Sequence, residues 1–173
     1  MIKEEVQKLL NNLIQLENLS SSIYLAMSAD ANRKNYTGMA HWLKLQSDEE
    51  RTHMLKLIDY LVGKDGIVQI LAIPAQPADF GTPLETFEKA LEHERFVTNA
   101  YRKAYDYITQ VDSQTLIIIL DFLREQIEEE NQTLTIVERL KIAKDNPAAL
   151  LLLDQELEQR KNGGAVEGVP PTK

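Results

Sequence analysis

The chain has 173 residues, 19 of them basic and 27 acidic, a formal net charge of −8 and no cysteine. That length suffices for one domain with a sizeable core. Disulfides and thiolate metal sites are excluded, the acid excess argues against nucleic-acid binding, and no apolar run approaches a membrane span or a signal region, so a soluble cytoplasmic protein is expected.

The first helix is predicted from about Lys3 to Arg33. Its apolar stripe runs Val6, Leu9, Leu13, Leu16, Ser20, Tyr24, Met27, Ala31 at steps of three or four, with Glu17 on or at its edge. Asn35-Tyr36-Thr37-Gly38 reads as a short turn with cap-forming residues. The second helix runs to about Val62, with Gly63 as its stop. Its stripe is Met39, Leu43, Gln46, Glu50, His53, Leu57, Tyr60.

Residues 64–82 break the helical period. Gly66, Pro74, Pro77 and Gly81 punctuate an apolar run at 67–73. A connection this long needs a reason, and a crossover along the length of a bundle supplies one. The run itself is expected to be an interface strand. The third helix opens on Thr82-Pro83-Leu84-Glu85, with Thr as N-cap, Pro at the first helical position and Glu three after the cap. Its stripe is Leu84, Phe87, Leu91, Glu94, Thr98, Tyr101, Tyr105, Ile108.

Asp112-Ser113 starts the fourth helix, which runs to about Lys144 with the stripe Leu116, Ile119, Phe122, Gln126, Glu129, Thr133, Ile136, Leu140. Asn146-Pro147 opens a short fifth helix. Residues 150–153, all leucine, offer apolar surface nearly all round, more than one bundle covers, so this helix is expected to be an assembly element. Residues 1–160 form one domain in this reading. The tail at 161–173, with Gly163-Gly164 and two prolines, is expected to be disordered.

Each long helix thus carries polar acceptors on its inward stripe: Glu17, Glu50 with His53, Glu94, and Gln126 with Glu129. Glu50 and His53 are three apart and share a helix face. Glu17 lies 18 residues before Asn35 and Glu50 lies 15 after it; Glu94 lies 18 before Asp112 and Glu129 lies 17 after it. At about 1.5 Å per residue, each hairpin sets its pair at one level, and a crossover that makes helices two and three parallel brings all four within about one turn. Four level carboxylates in a bundle core would repel one another, and di- or trivalent cations would neutralise them. A structural polar layer is the competing reading.

Glu17, Glu50-x-x-His53, Glu94 and Gln126-x-x-Glu129, in this order on four helices with a long second connection and a short fifth helix, resemble the ferritins, and among them the bacterial non-haem type. The fold class that the resemblance implies is all-α, a ferritin-like four-helix bundle with a long crossover. Bacterioferritins carry a second Glu-x-x-His on the fourth helix, where this chain has Asn131 and Gln132. They also carry a haem-binding Met where this chain has Arg51, so no haem is expected. DNA-protecting mini-ferritins use first-helix histidines and lack a fifth helix, and neither feature matches.

The resemblance implies a di-iron site: a first iron at Glu17, Glu50 and His53, and a second at Glu94 and Glu129 with Glu50 as bridge. Gln126 and Tyr24 would stand beside it. Glu49, Glu125, Glu128 and Glu129 match a third iron position, although residues 128–130 could instead be a solvated acidic face. Tyr24 reads more readily as core packing than as a redox group. His41 and His93 fall off the site face and are expected at the surface. The implied activity is ferroxidase, oxidising Fe(II) with dioxygen or peroxide, and the implied assembly is a homo-oligomeric, twenty-four-subunit cage holding ferric mineral. Hard carboxylate oxygens suit Fe(III), and paired metals suit a two-electron oxidant. The alternatives are a metal-buffering storage shell with slow or no turnover, and a four-helix interaction module.

Overall fold

The computed structural model describes residues 2–161. Five helices follow one another: α1 (Glu4–Arg33), α2 (Thr37–Gly63), α3 (Pro83–Val111), α4 (Thr115–Ala143) and α5 (Pro147–Leu157). Among the described residues there is no strand, and no helix is long and apolar enough to cross a membrane. The expected tail lies outside the described residues except for its first position.

α1 and α2 form one antiparallel hairpin, α3 and α4 another. Small residues let the first pair approach closely. Ser21 donates to the Ser47 carbonyl at 2.8 Å, and Ser47 donates to the Ser21 carbonyl at 2.7 Å. The Lys34 ammonium, at the end of α1, reaches the Gly81 carbonyl just before α3, while Lys3, at the start of α1, reaches the Val111 carbonyl at the end of α3. α1 and α3 are therefore antiparallel, and α2 and α3 run the same way.

Residues 64–82 make the crossover, held by amide side chains one helical turn apart on α1. Gln7 accepts from the Ile67 N–H, Asn11 bonds both the Ile67 carbonyl and the Gln69 N–H, and Gln15 donates to the Ala72 carbonyl. Side-chain amides thus stand in for a partner strand, and the expected strand at 67–73 is an extended segment without a ladder. Ile67, Ile70 and Leu71 remain exposed. At its far end Asp30 accepts from the Phe80 N–H, and Lys34 bridges Asp30 and Asp79.

Helix ends follow local chemistry, with two departures. The Thr82–Glu85 capping box forms in both directions, and Asn146 accepts from the Ala148 and Ala149 amides; each such cap is worth about 1 kcal/mol. Asp112 caps α4 as expected, but through a turn to Gln114 and Thr115, so regular helix starts at Thr115. Gly63 is not the stop of α2: it is the last helical residue, and Asp65 (φ 58°) takes the left-handed conformation while the Gly66 N–H returns to the Leu61 carbonyl.

α2 lacks a cap of its own, and α5 supplies one. Asp154 accepts from the Met39 N–H at 2.8 Å, placing a carboxylate at the positive end of α2. The approach is so close that a Cβ on Gly38 would fall 1.7 Å from the Asp154 carbonyl oxygen. Leu153 and Leu157 are buried against the bundle end, whereas Leu151 and Leu152 are more than half exposed. The apolar surface of α5 is thus half used within the chain.

The apolar core is split in two. One cluster joins Tyr24, Met27, Met39, Trp42, Leu43, Phe87 and the inner leucines of α5. The other joins Val6, Leu10, Leu57, Leu61, Tyr101, Ile108 and Phe122. Between them lies a polar layer.

Candidate metal centre

Each long helix contributes to that layer. Glu17, Glu50, His53, Glu94, Gln126 and Glu129 are all buried, and none of the four glutamates is more than 5% exposed. The heights expected from residue counting therefore agree. Donor atoms fall into three groups, each within 4.8 Å: Glu17, Glu50 and His53; Glu50, Glu94 and Glu129; and Glu49, His53 and Glu129. Glu50 belongs to the first two, as a bridging carboxylate must.

Around these groups, every side of the layer supplies a hydrogen bond. The Tyr24 hydroxyl donates to Glu94 and the Tyr101 hydroxyl to Glu17. Gln126 donates to the Glu94 carboxylate at 3.0 Å. Gln46, fully buried, donates to Glu50 at 3.0 Å and to Glu129 at 2.6 Å. His53 Nδ1 lies 3.4 Å from Glu50 Oε2 and 3.9 Å from Glu17 Oε2, and its ring stands edge-on to Phe122. Yet Glu17 Oε2 and Glu50 Oε2 are buried with no hydrogen-bond partner. A buried carboxylate oxygen without a donor is costly, and both oxygens belong to residues of the first group.

Burial dominates the electrostatics. It raises Glu17 well above the usual carboxylate range, with the Glu50 charge adding to it. Burial followed by the Glu50 charge pushes Glu94 up to about 8. Burial, then Glu94 and Glu50, raises Glu129. Burial also pushes Glu50 upward, but His53, Glu17 and Gln46 outweigh it and hold Glu50 below its ordinary value. His53 is raised: the contact with Glu50 and the charges of Glu50, Glu125 and Glu49 overcome burial. Burial and Glu94 raise Tyr24, and burial and Glu17 raise Tyr101, so both phenols stay protonated donors. In the ion-free layer Glu17, Glu94 and Glu129 are thus driven toward the protonated form and Glu50 toward the anion, and a bound cation would displace the protons.

The remaining expected residues divide. Glu49 is partly buried and joins His53 and Glu129; burial raises its carboxyl although Arg160 opposes this. Glu125 reaches the layer from its edge, with Oε2 3.2 Å from His53 Nε2 and Oε1 3.2 Å from the Lys56 ammonium. Glu128 is exposed and is not brought to the layer. Neighbouring Glu130 turns elsewhere and accepts from Thr98 at 2.5 Å.

His93 departs from its expected surface position. It is half-buried between α1 and α3, with Nε2 2.7 Å from Ser20 Oγ and its ring edge-on to Tyr24, and burial lowers its pKa. His41 is half-buried, bonded to the Arg160 carbonyl at 2.9 Å. Sequence reasoning also passed over the polar roles of Gln46 and Tyr101. Both lie on the inward stripes, four residues before Glu50 and seven after Glu94, and a polar group at such a position is the signal that could have found them.

Comparison with known proteins bears on the helical fold that carries these residues. A family model described as ferritin-like domain matches residues 7–143. A bacterial non-heme ferritin of Bacteroides fragilis is 38% identical over 161 residues, covering 92% of this chain and 100% of that protein. One from Campylobacter jejuni is 32% identical, covering 90% and 93%. Among solved structures, the open pore ferritin of the archaeon Archaeoglobus fulgidus superposes with a TM-score of 0.91 at 32% identity, over 92% of this chain and 98% of that one.

Proposed function

The chain belongs to the ferritin family, proteins of iron storage, and on that basis we propose that it is a ferroxidase that oxidises Fe(II) at its buried carboxylate layer and stores the ferric product inside a twenty-four-subunit cytoplasmic cage. The observation that carries this reading is the pair of donor groups sharing Glu50, with two buried carboxylate oxygens without a hydrogen-bond partner. Hard carboxylate oxygens with one imidazole nitrogen fit iron.

In this reading Glu17, Glu50 and His53 hold one Fe(II), and Glu50, Glu94 and Glu129 hold the other. Gln126 and Tyr24 donate to Glu94 and fix its rotamer, and Tyr101 does the same for Glu17. Each Fe(II) gives one electron to dioxygen, which with two protons leaves as hydrogen peroxide; peroxide can itself serve as the two-electron oxidant. The carboxyl protons displaced by Fe(II) are available at the same place. Glu49, with Glu129 and His53, forms a third position at the edge of the layer, and Glu125 lines its outer side; Glu128 is left out of it. No haem enters this reading, because exposed Arg51 follows Glu50 and Met54 packs into the apolar cluster of Leu10, Leu57 and Phe122.

The test is anaerobic addition of Fe(II) to the assembled protein, followed by oxygen. Two Fe(II) per subunit should be oxidised in a fast phase, in a particle of several hundred kilodaltons. Oxidation no faster than in protein-free buffer, with metal still bound, would instead identify a buffering shell.

A further inference from the structure

Arg160 follows α5, far from the layer in sequence, yet it is only 4% exposed. Its guanidinium stacks 4.4 Å over the Trp42 ring and donates to the Trp42 carbonyl at 3.2 Å. The other terminal nitrogen donates to Gln46 Oε1 at 2.9 Å and to Glu49 at 2.8 Å. The His41 ring bonds the Arg160 carbonyl and fixes its main chain. Burying a guanidinium is costly unless its donors are used; the Arg160 Nε is buried without a partner, and two of the contacts made by the rest of the group lead toward the metal layer.

A glutamine amide has nearly the same shape when its oxygen and nitrogen are exchanged. In one orientation Gln46 gives two N–H groups to Glu50 Oε1 and Glu129 Oε2. In the other it turns a lone-pair oxygen toward two carboxylates. Arg160 decides between them, because a guanidinium only donates and needs the amide oxygen on its own side. We propose that Arg160 is a positioning residue for the second metal position, acting through Gln46 to fix Glu50 and Glu129. This rests on the two-metal reading above.

The relay is unequal between the two positions. Gln46 holds two of the three ligands of the group Glu50, Glu94 and Glu129, the third being steadied by Tyr24 and Gln126, but only one of the group Glu17, Glu50 and His53, where Tyr101 steadies Glu17. Loss of Arg160 should therefore loosen the second position more than the first. A plain tether for the segment after α5 would not discriminate between them. A long-range field effect would have the opposite sign, since removing a cation favours cation binding.

The experiment is calorimetric titration of Zn(II) into the assembled full-length chain. The parent should bind ions at both of these positions with resolvable affinities, any ion at the edge group Glu49, His53 and Glu129 adding a separate step. Arg160→Met keeps the stem over Trp42; it should weaken the second ion about tenfold and leave the first within about twofold. Gln46→Leu should give the same selective loss, and the double variant no further loss, because both act on one link. Arg160→Lys, which keeps the charge and one donor, should recover part of the affinity even if the methionine variant assembles poorly. An unchanged second ion, an equal loss at both positions, or fully additive single effects would overturn the relay. A parent without a second ion would overturn the two-metal reading itself, and the relay with it.

Discussion

Glu94→Gln isolates what the crowded layer costs the ion-free protein. Glu94 is pushed up to about 8 from an ordinary 4.5, chiefly by burial and then by the Glu50 charge. Between those values the folded chain keeps a proton that the unfolded chain has released. Folding therefore takes up a proton there, and each unit rise in pH removes about 1.4 kcal/mol of stability. From the unfolded value to pH 7 the accumulated cost is about 3 kcal/mol. Below the unfolded value both states hold the proton and the cost is nil. Glutamine abolishes the titration and keeps the shape, and its oxygen can still accept from Tyr24. Its amide, however, meets the Gln126 nitrogen that now donates to Glu94 at 3.0 Å, a loss of about 1 kcal/mol. The variant should thus be about 2 kcal/mol more stable than the parent at pH 7 and slightly less stable near pH 4.5, with the difference changing sign between. Denaturant unfolding of both metal-free proteins at several pH values reads this directly. Added Zn(II) should then favour the parent, because binding to the folded state alone stabilises it. Equal destabilisation of the variant at every pH would show that Glu94 is a structural hydrogen-bonding residue, not a strained acid.

Other expectations are independent of titration. Gly38→Ala drives a methyl group into the Asp154 carbonyl, so α5 should detach from α2, with a loss of several kcal/mol seen as lowered Tm and faster amide exchange at residues 153–157. Leu151→Asp with Leu152→Asp alters two side chains that are exposed in the single chain. The helical content of the subunit should persist while gel filtration shows a smaller or less heat-stable particle; an unchanged particle would place α5 away from any interface.

The helices and the level of the polar layer were legible because each acidic residue interrupted an apolar stripe of helical period. The capping box at Thr82 and the asparagine cap at 146 were equally local. What escaped was non-local or angular. Nothing around Arg160 announces a partner more than a hundred residues earlier. His93 follows its helix about 100° from Glu94, which in this packing is the seam with α1 and not solvent. Residues 128–130 are three consecutive acids, which one helix face cannot collect, and the structure accordingly sends Glu129 inward, Glu130 to Thr98 and Glu128 outward. Within the chain the run at 67–73 is extended and bonds amide side chains of α1, a pairing that no alternation of apolar residues can announce.

The division of the layer between the two hairpins has a consequence for folding. Glu17, Glu50 and His53 all come from α1 and α2, two segments joined by a short turn. Glu50, Glu94 and Glu129 come from both hairpins, joined only by the crossover. In the two-metal reading, an ion in the first position would close a local loop and could bind as soon as one hairpin had formed. An ion in the second position would cross-link halves distant in sequence and could bind only after they dock. Its binding energy would therefore oppose separation of the hairpins, whereas that of the first would not. Hydrogen exchange should slow at the α1–α3 seam only when the second ion is added.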